Sequence, residues 1–190
     1  GFIDTTLRDG QQSPLMFDSK KYRFSLADKK ILLNGLIQLG ISQFEFFSPV
    51  VSQSDKTDFL ELKTFIKQEA NSKAMLLAHV RCHWTDITEA VEAGFDGLNM
   101  YMGIAERAQK YSYGYSFDKI LKLIKETIIS VRQKYPHLYL RFSVEDCFRT
   151  PLADTFRIYD AIYPYINTFG MPDTVGVATP EIVKHHVTAL

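Results

Sequence analysis

Short β-branched and aromatic runs recur near residues 2–6, 42–47, 74–80, 96–101, 138–144 and 166–170, and the stretches between them carry apolar residues at helical spacing. The first kind fits strands and the second amphipathic helices. The clearest helix opens at Ser116 and sets Phe117, Ile120, Leu121, Ile124, Ile128 and Val131 on one stripe before Pro136 stops it, the pattern of a helix that covers a sheet. Thr150-Pro151 and Thr179-Pro180 each place a capping hydroxyl before a proline at the first helical position, where the missing N–H costs nothing. Asp86 and Glu89 open another helix, and Gly94 closes it where a left-handed residue is usually needed. This alternation means parallel strands with covering helices, as an open doubly wound sheet or as a barrel; periodicity does not choose between them. A closed barrel needs eight such units, whereas six strand candidates are visible and the last helix pattern runs to Leu190. The expectation is an incomplete barrel whose open edges are covered by further chain or by a partner.

Bulk properties narrow the function. The 190 residues, 46% hydrophobic, can bury one sizeable core, and no Pro-, Gly- or Ser-rich linker divides them. The 22 basic and 22 acidic residues cancel, which argues against nucleic acid or an anionic membrane as partner and for a small molecule. No apolar run approaches the roughly 20 residues that span a bilayer. Cys82 and Cys147 lack metal-type spacing and no leader-like stretch precedes the first strand candidate, so a cytoplasmic protein without a disulfide is expected.

In parallel α/β folds the reactive groups gather at the carboxyl ends of strands. Arg8 and Asp9 follow the first strand candidate: a fixed cation beside a hard oxygen ligand could hold an anionic substrate and a divalent ion, or the pair could be an exposed Asp-Gly turn. On the fifth candidate, period two separates Arg141, Ser143 and Glu145 from Leu140, Phe142 and Val144. A strand buried on both sides reads apolar throughout, so the polar face lines a cavity or is salt-bridged. His79, Arg81 and His83 share parity in the same way, as ligands or as locally hydrogen-bonded residues. The adjacent His185 and His186 point about 100° apart on a helix and read as surface residues. Tyr111, Tyr113 and Tyr115 read as a tyrosine-rich loop, and neither a Gly-rich phosphate loop nor a Gly-x-Ser-x-Gly elbow is present.

Four segments resemble the metal-dependent barrel enzymes that include 2-isopropylmalate, homocitrate and citramalate synthases and the 3-hydroxy-3-methylglutaryl-CoA lyases. They are Asp4-Thr5-Thr6-Leu7-Arg8-Asp9-Gly10-Gln11-Gln12, Phe44-Glu45 leading to Ser48-Pro49, Arg141 to Asp146 with Arg149-Thr150, and Pro172-Asp173-Thr174-Val175-Gly176 with Ala178-Thr179-Pro180. The Asp-Thr-Thr-Leu lead favours the synthases. The resemblance implies an α/β TIM (β/α)8 barrel, of which residues 1–190 are a partial catalytic domain with the first six βα units. It implies a Claisen condensation of acetyl-CoA with a 2-oxo acid, 2-oxoglutarate or 2-oxoisovalerate, in amino-acid biosynthesis, by a homodimer using Mg, Mn or Zn.

By the same resemblance Asp9 is a metal ligand, Arg8 steadies the developing alkoxide, Glu145 transfers or orients a proton, Thr174 holds the substrate carboxylate and Gln12 lines the pocket. His79 and Arg141, with Ser143, resemble the residues that grip the distal carboxylate of 2-oxoglutarate. Departures touch the substrate: Asp9 stands where many homocitrate synthases carry Glu, Asn99 replaces an acidic residue, and Ala105 a usual serine. The family completes its metal site with a His-x-His pair, expected beyond Leu190, so the 190 residues alone are expected to bind metal weakly and be inactive. The competing readings are a lyase or decarboxylase of the same superfamily and a non-catalytic paralogue serving as a binding or regulatory subunit.

Overall fold

A computed structural model describes residues 1–12, 24–70 and 72–190, which divide into two compact units, one of Gly1–Val80 with Thr85–Leu98 and one of Arg81–Trp84 with Asn99–Leu190. In the first unit β1 (Gln43–Phe47) pairs parallel with β2 (Met75–Arg81), Glu45 opposite Leu77 and Phe47 opposite His79. Phe44 and Phe46 share one face of β1. Phe46 packs edge-on to Phe59 of α2 (Gln53–Thr64), and the Phe59 ring stacks on Phe95 with centroids 3.6 Å apart. Because side chains alternate along a strand, this packing turns Glu45 to the opposite face. α1 (Leu26–Gln38) begins with a capping box between Ser25 and Asp28, and α2 with Ser52 accepting from the Asp55 N–H. α3 (Trp84–Ala93) buries Asp86, Ile87 and Ala90 and ends at Gly94, φ +81°, the left-handed closure its glycine implied.

The run near residues 2–6 forms no strand. Asp4 makes one isolated parallel bridge to Phe44, and its carboxylate accepts both the Thr6 N–H and the Thr6 hydroxyl at 3.0 Å. A side chain that takes the backbone donor two residues on turns the chain rather than extending it. The Arg8 and Asp9 amides both donate to the Thr5 carbonyl, and a 3-10 turn follows at Asp9–Gln12.

β3 (Gly97–Gly103) is divided between the units after Leu98. The second unit holds its remainder with β4 (Tyr139–Glu145) and β5 (Thr168–Gly170), which pair parallel, Ser143 opposite Gly170. A short helix α4 (Glu106–Ala108) runs into a π-helical turn at Gln109–Tyr113. α5 (Phe117–Lys134) buries Ile120, Ile124, Ile128 and Val131, the stripe its sequence shows, and Ser116 caps it as expected. It packs on α6 (Leu152–Ile162), and Leu140, Phe142 and Val144 of β4 are fully buried. The Thr150-Pro151 pair does not cap α6: Thr150 Oγ1 donates instead to the Asp146 carbonyl at 2.9 Å, and Pro151 stands at the cap position. Thr179 does cap α7 (Pro180–Ala189), where His186 donates to the Ile182 carbonyl and His185 is exposed. Among the described residues no helix is long and apolar enough to cross a membrane.

Candidate active site

Within the first unit, the turn after Asp4 brings Arg8 over the face of β1 that the aromatic core does not use. Arg8 Nε lies 2.7 Å from Glu45 Oε1, and its Nη2 lies 2.9 Å from Asp9 Oδ2. The Glu45 side chain is 1% exposed and that of Arg8 15%. A carboxylate buried to this degree is tolerable only beside a cation, so the pair orients Arg8. His79 Nδ1, on β2, is 3.5 Å from the same Glu45 oxygen. The sequence marks Arg8, Asp9 and His79 as candidates, and Glu45 only as part of a matching segment. Its signal is a lone carboxylate in the apolar strand Gln43-Phe44-Glu45-Phe46-Phe47. Gln12 ends the 3-10 turn, exposed.

Asp9 is an exposed hard donor of the kind divalent ions take, and Arg8 shares its oxygens. Among the described residues no three of His, Cys, Asp and Glu gather as a metal site.

In the second unit the polar parity of β4 holds. Ser143 Oγ donates to Asn99 Oδ1 at 3.1 Å, both residues buried. Glu145 sits at the strand's end, where burial and then the neighbouring Asp146 charge push its carboxyl above the ordinary value. Gly103 makes room for it: a β-carbon there would lie 3.2 Å from Glu145 Oε2 and 3.1 Å from the Ala108 β-carbon. Asp146 is left-handed at φ +56°, a conformation with a cost for any residue but glycine. Its N–H donates to Thr174 Oγ1 at 2.9 Å, and its carboxylate accepts from Arg149 Nε at 2.9 Å and Nη2 at 2.6 Å. Thr174 is thereby tied to the residue beside Glu145.

Tyr113 departs from the bland tyrosine loop expected of its run. It is half-buried at the end of the π-helical turn, and its hydroxyl is pushed above the usual range chiefly by burial, with the Glu145 charge acting the same way.

Parallel strands with covering helices, with charged residues at strand ends in each unit, define an α/β scaffold. The HMGL-like family model matches residues 1–190, and the chain belongs to that family. It is 34% identical to the cytosolic isozyme of homocitrate synthase from Saccharomyces cerevisiae, over 99% of this chain and 41% of that protein. It is 31% identical to 2-isopropylmalate synthase from Lactococcus lactis subsp. cremoris, over 95% of this chain and 34% of that protein. The chain thus spans about four-tenths or less of the curated relatives it matches. Among solved structures, the HMG-CoA lyase of Bacillus subtilis aligns with TM-score 0.74 at 21% identity, covering 98% of this chain and 62% of that one. The expected α/β barrel class is borne out by that likeness, with five strands and the Asp4 bridge among the described residues in place of six strands.

Proposed function

We propose that residues 1–190 are part of the catalytic barrel domain of an enzyme that condenses acetyl-CoA with a 2-oxo acid. The product would be homocitrate from 2-oxoglutarate or 2-isopropylmalate from 2-oxoisovalerate, and the setting amino-acid biosynthesis in the cytosol. The observation that carries this reading is Arg8, a guanidinium fixed by buried Glu45 in a chain similar throughout to homocitrate synthase.

In the condensation a base takes a proton from the acetyl methyl group, its carbon attacks the keto carbon, and negative charge develops on the former keto oxygen, which a proton then neutralises as the new hydroxyl. A preorganised cation stabilises charge that grows in the transition state more than charge already present, which is the role of Arg8. Glu145, whose carboxyl is pushed above its ordinary value by burial and the neighbouring Asp146 charge, transfers or orients a proton. Water then cleaves the thioester and releases the CoA thiol. Thr174 accepts the Asp146 N–H, which leaves its own O–H proton for a carboxylate oxygen of the substrate; Gln12 binds the same substrate. Arg141, Ser143 and His79 select for a distal carboxylate. Asp9 would be one ligand of a divalent ion (Mg, Mn or Zn), which when bound supplies Lewis-acid polarisation of the keto oxygen.

The test is thiol release by the full-length protein from acetyl-CoA with 2-oxoglutarate, 2-oxoisovalerate, pyruvate or oxaloacetate in the presence of Mg²⁺, Mn²⁺ or Zn²⁺. Release is expected with one of these acids. Release with none would sink the synthase reading.

A further inference from the structure

The β4–β5 register runs from Arg141–Thr168 to Ser143–Gly170, and beyond it the two strand ends are joined by the residues that follow them. Two consecutive amides make the connection: the Asp146 N–H donates to Thr174 Oγ1 at 2.9 Å and the Cys147 N–H to the Pro172 carbonyl at 3.3 Å. Along an extended strand consecutive N–H groups point to opposite sides, whereas a left-handed residue turns them to one side, as in the backbone concavities that hold anions. Asp146, at φ +56°, makes that turn. Its carbonyl is engaged as well, by the Thr150 hydroxyl at 2.9 Å and the Arg149 N–H at 3.2 Å.

The Asp146 side chain is the weaker part of this arrangement. Its partner Arg149 has a side chain 49% exposed, and an ion pair that open contributes little. The backbone does more, because aspartate is among the few residues that tolerate the left-handed region. The segment it reaches has a lock of its own: the Asp173 carboxylate accepts the Val177 N–H at 3.0 Å and the Ala178 N–H at 2.9 Å. Asp173 thus shapes the loop that carries Thr174, and the Asp146 amide fixes the hydroxyl beside Glu145. A hydroxyl whose oxygen accepts that N–H presents its own hydrogen elsewhere, and Thr174 is exposed to a ligand.

We propose that Asp146 is a positioning residue for the condensation: its left-handed backbone aims an N–H at Thr174 and so fixes that hydroxyl as a donor to the substrate carboxylate. This rests on the reading of Thr174 given above. Asp146 itself touches no substrate in this account, and its effect passes through the loop after β5.

The test measures kcat and the KM values for acetyl-CoA and for 2-oxoglutarate or 2-oxoisovalerate, whichever acid the unaltered full-length protein turns over, in Asp146→Gly, Asp146→Ala and Asp146→Val. All three lose the carboxylate, so differences among them report the backbone. Asp146→Gly, for which left-handed backbone carries no steric cost, is expected to keep the 2-oxo acid KM within about threefold of the unaltered value. Asp146→Val, for which it is most costly, is expected to raise that KM about tenfold, the lower range for a hydrogen bond to a charged group. Its kcat and acetyl-CoA KM are expected to stay within about threefold of those of Asp146→Gly, the pattern of lost binding to one substrate. Asp146→Ala is expected to fall between the two and decides the matter if Asp146→Val does not fold. Equal 2-oxo acid KM values in Asp146→Gly and Asp146→Ala, or a rise shared equally by both substrates, would overturn the role of Asp146. An unchanged 2-oxo acid KM in Thr174→Val, or turnover of neither acid by the unaltered protein, would instead overturn the reading of Thr174 and the proposal with it.

Discussion

Glu45 and Arg8 show how one buried charge fixes another. With Glu45 nearly inaccessible and 2.7 Å from Arg8, neither charge keeps its full hydration, and the pair is tolerated because the two charges compensate each other. Removing one partner strands the other. Glu45→Ala is expected to lower the unfolding free energy of the full-length protein by about 3–5 kcal/mol, read from urea denaturation. A loss below about 1 kcal/mol, the worth of an exposed pair, would show that the two do not act as a buried unit. Arg8, Asp9, Arg141, Ser143 and Glu145 were legible from the sequence, since a charge at a strand end or a polar parity on one strand is a local pattern. Glu45 was less so, because its partner lies far along the chain, and only three-dimensional proximity turns a lone carboxylate in an apolar strand into an anchor. The Asn99–Ser143 bond joins strands 44 residues apart in sequence, a separation that no local pattern reports.

At the scale of elements, hydroxyl caps separate what the sequence states plainly from what it does not. Thr179-Pro180 and Thr150-Pro151 look alike as dipeptides, yet Thr179 caps its helix while Thr150 is drawn to the Asp146 carbonyl by the left-handed turn. The capping residues of α1 and α2 are hard to find in the sequence because those helices have thin apolar stripes; α2 buries only Phe59 and Leu62. Its start depends on Ser52, whose hydroxyl accepts the Asp55 N–H at 3.0 Å and reaches the Asp55 carboxylate at 2.6 Å. Ser52→Ala is expected to cost about 1 kcal/mol, and Ser52→Asp, which keeps an acceptor, distinctly less. Denaturation midpoints at constant slope measure both; equal losses would show that the hydroxyl contributes through packing rather than capping. The first strand candidate forms no strand for a related reason, since Asp4 captures the Thr6 N–H that a continuing strand would use.

For the whole molecule, belonging to the HMGL-like family fixes the scaffold, and the chemistry rests on the residues it carries. The proposed reaction forms a carbon–carbon bond between the acetyl group and a 2-oxo acid. The most direct test incubates the full-length protein with acetyl-CoA labelled with ¹³C at both acetyl carbons, 2-oxoglutarate or 2-oxoisovalerate, and a divalent ion, and follows the acids by mass spectrometry. The account predicts a new hydroxy acid carrying both labelled carbons, formed in step with free CoA thiol. Labelled free acetate with the 2-oxo acid unconsumed, or carbon–carbon cleavage of an added hydroxyacyl-CoA with no condensation, would contradict it.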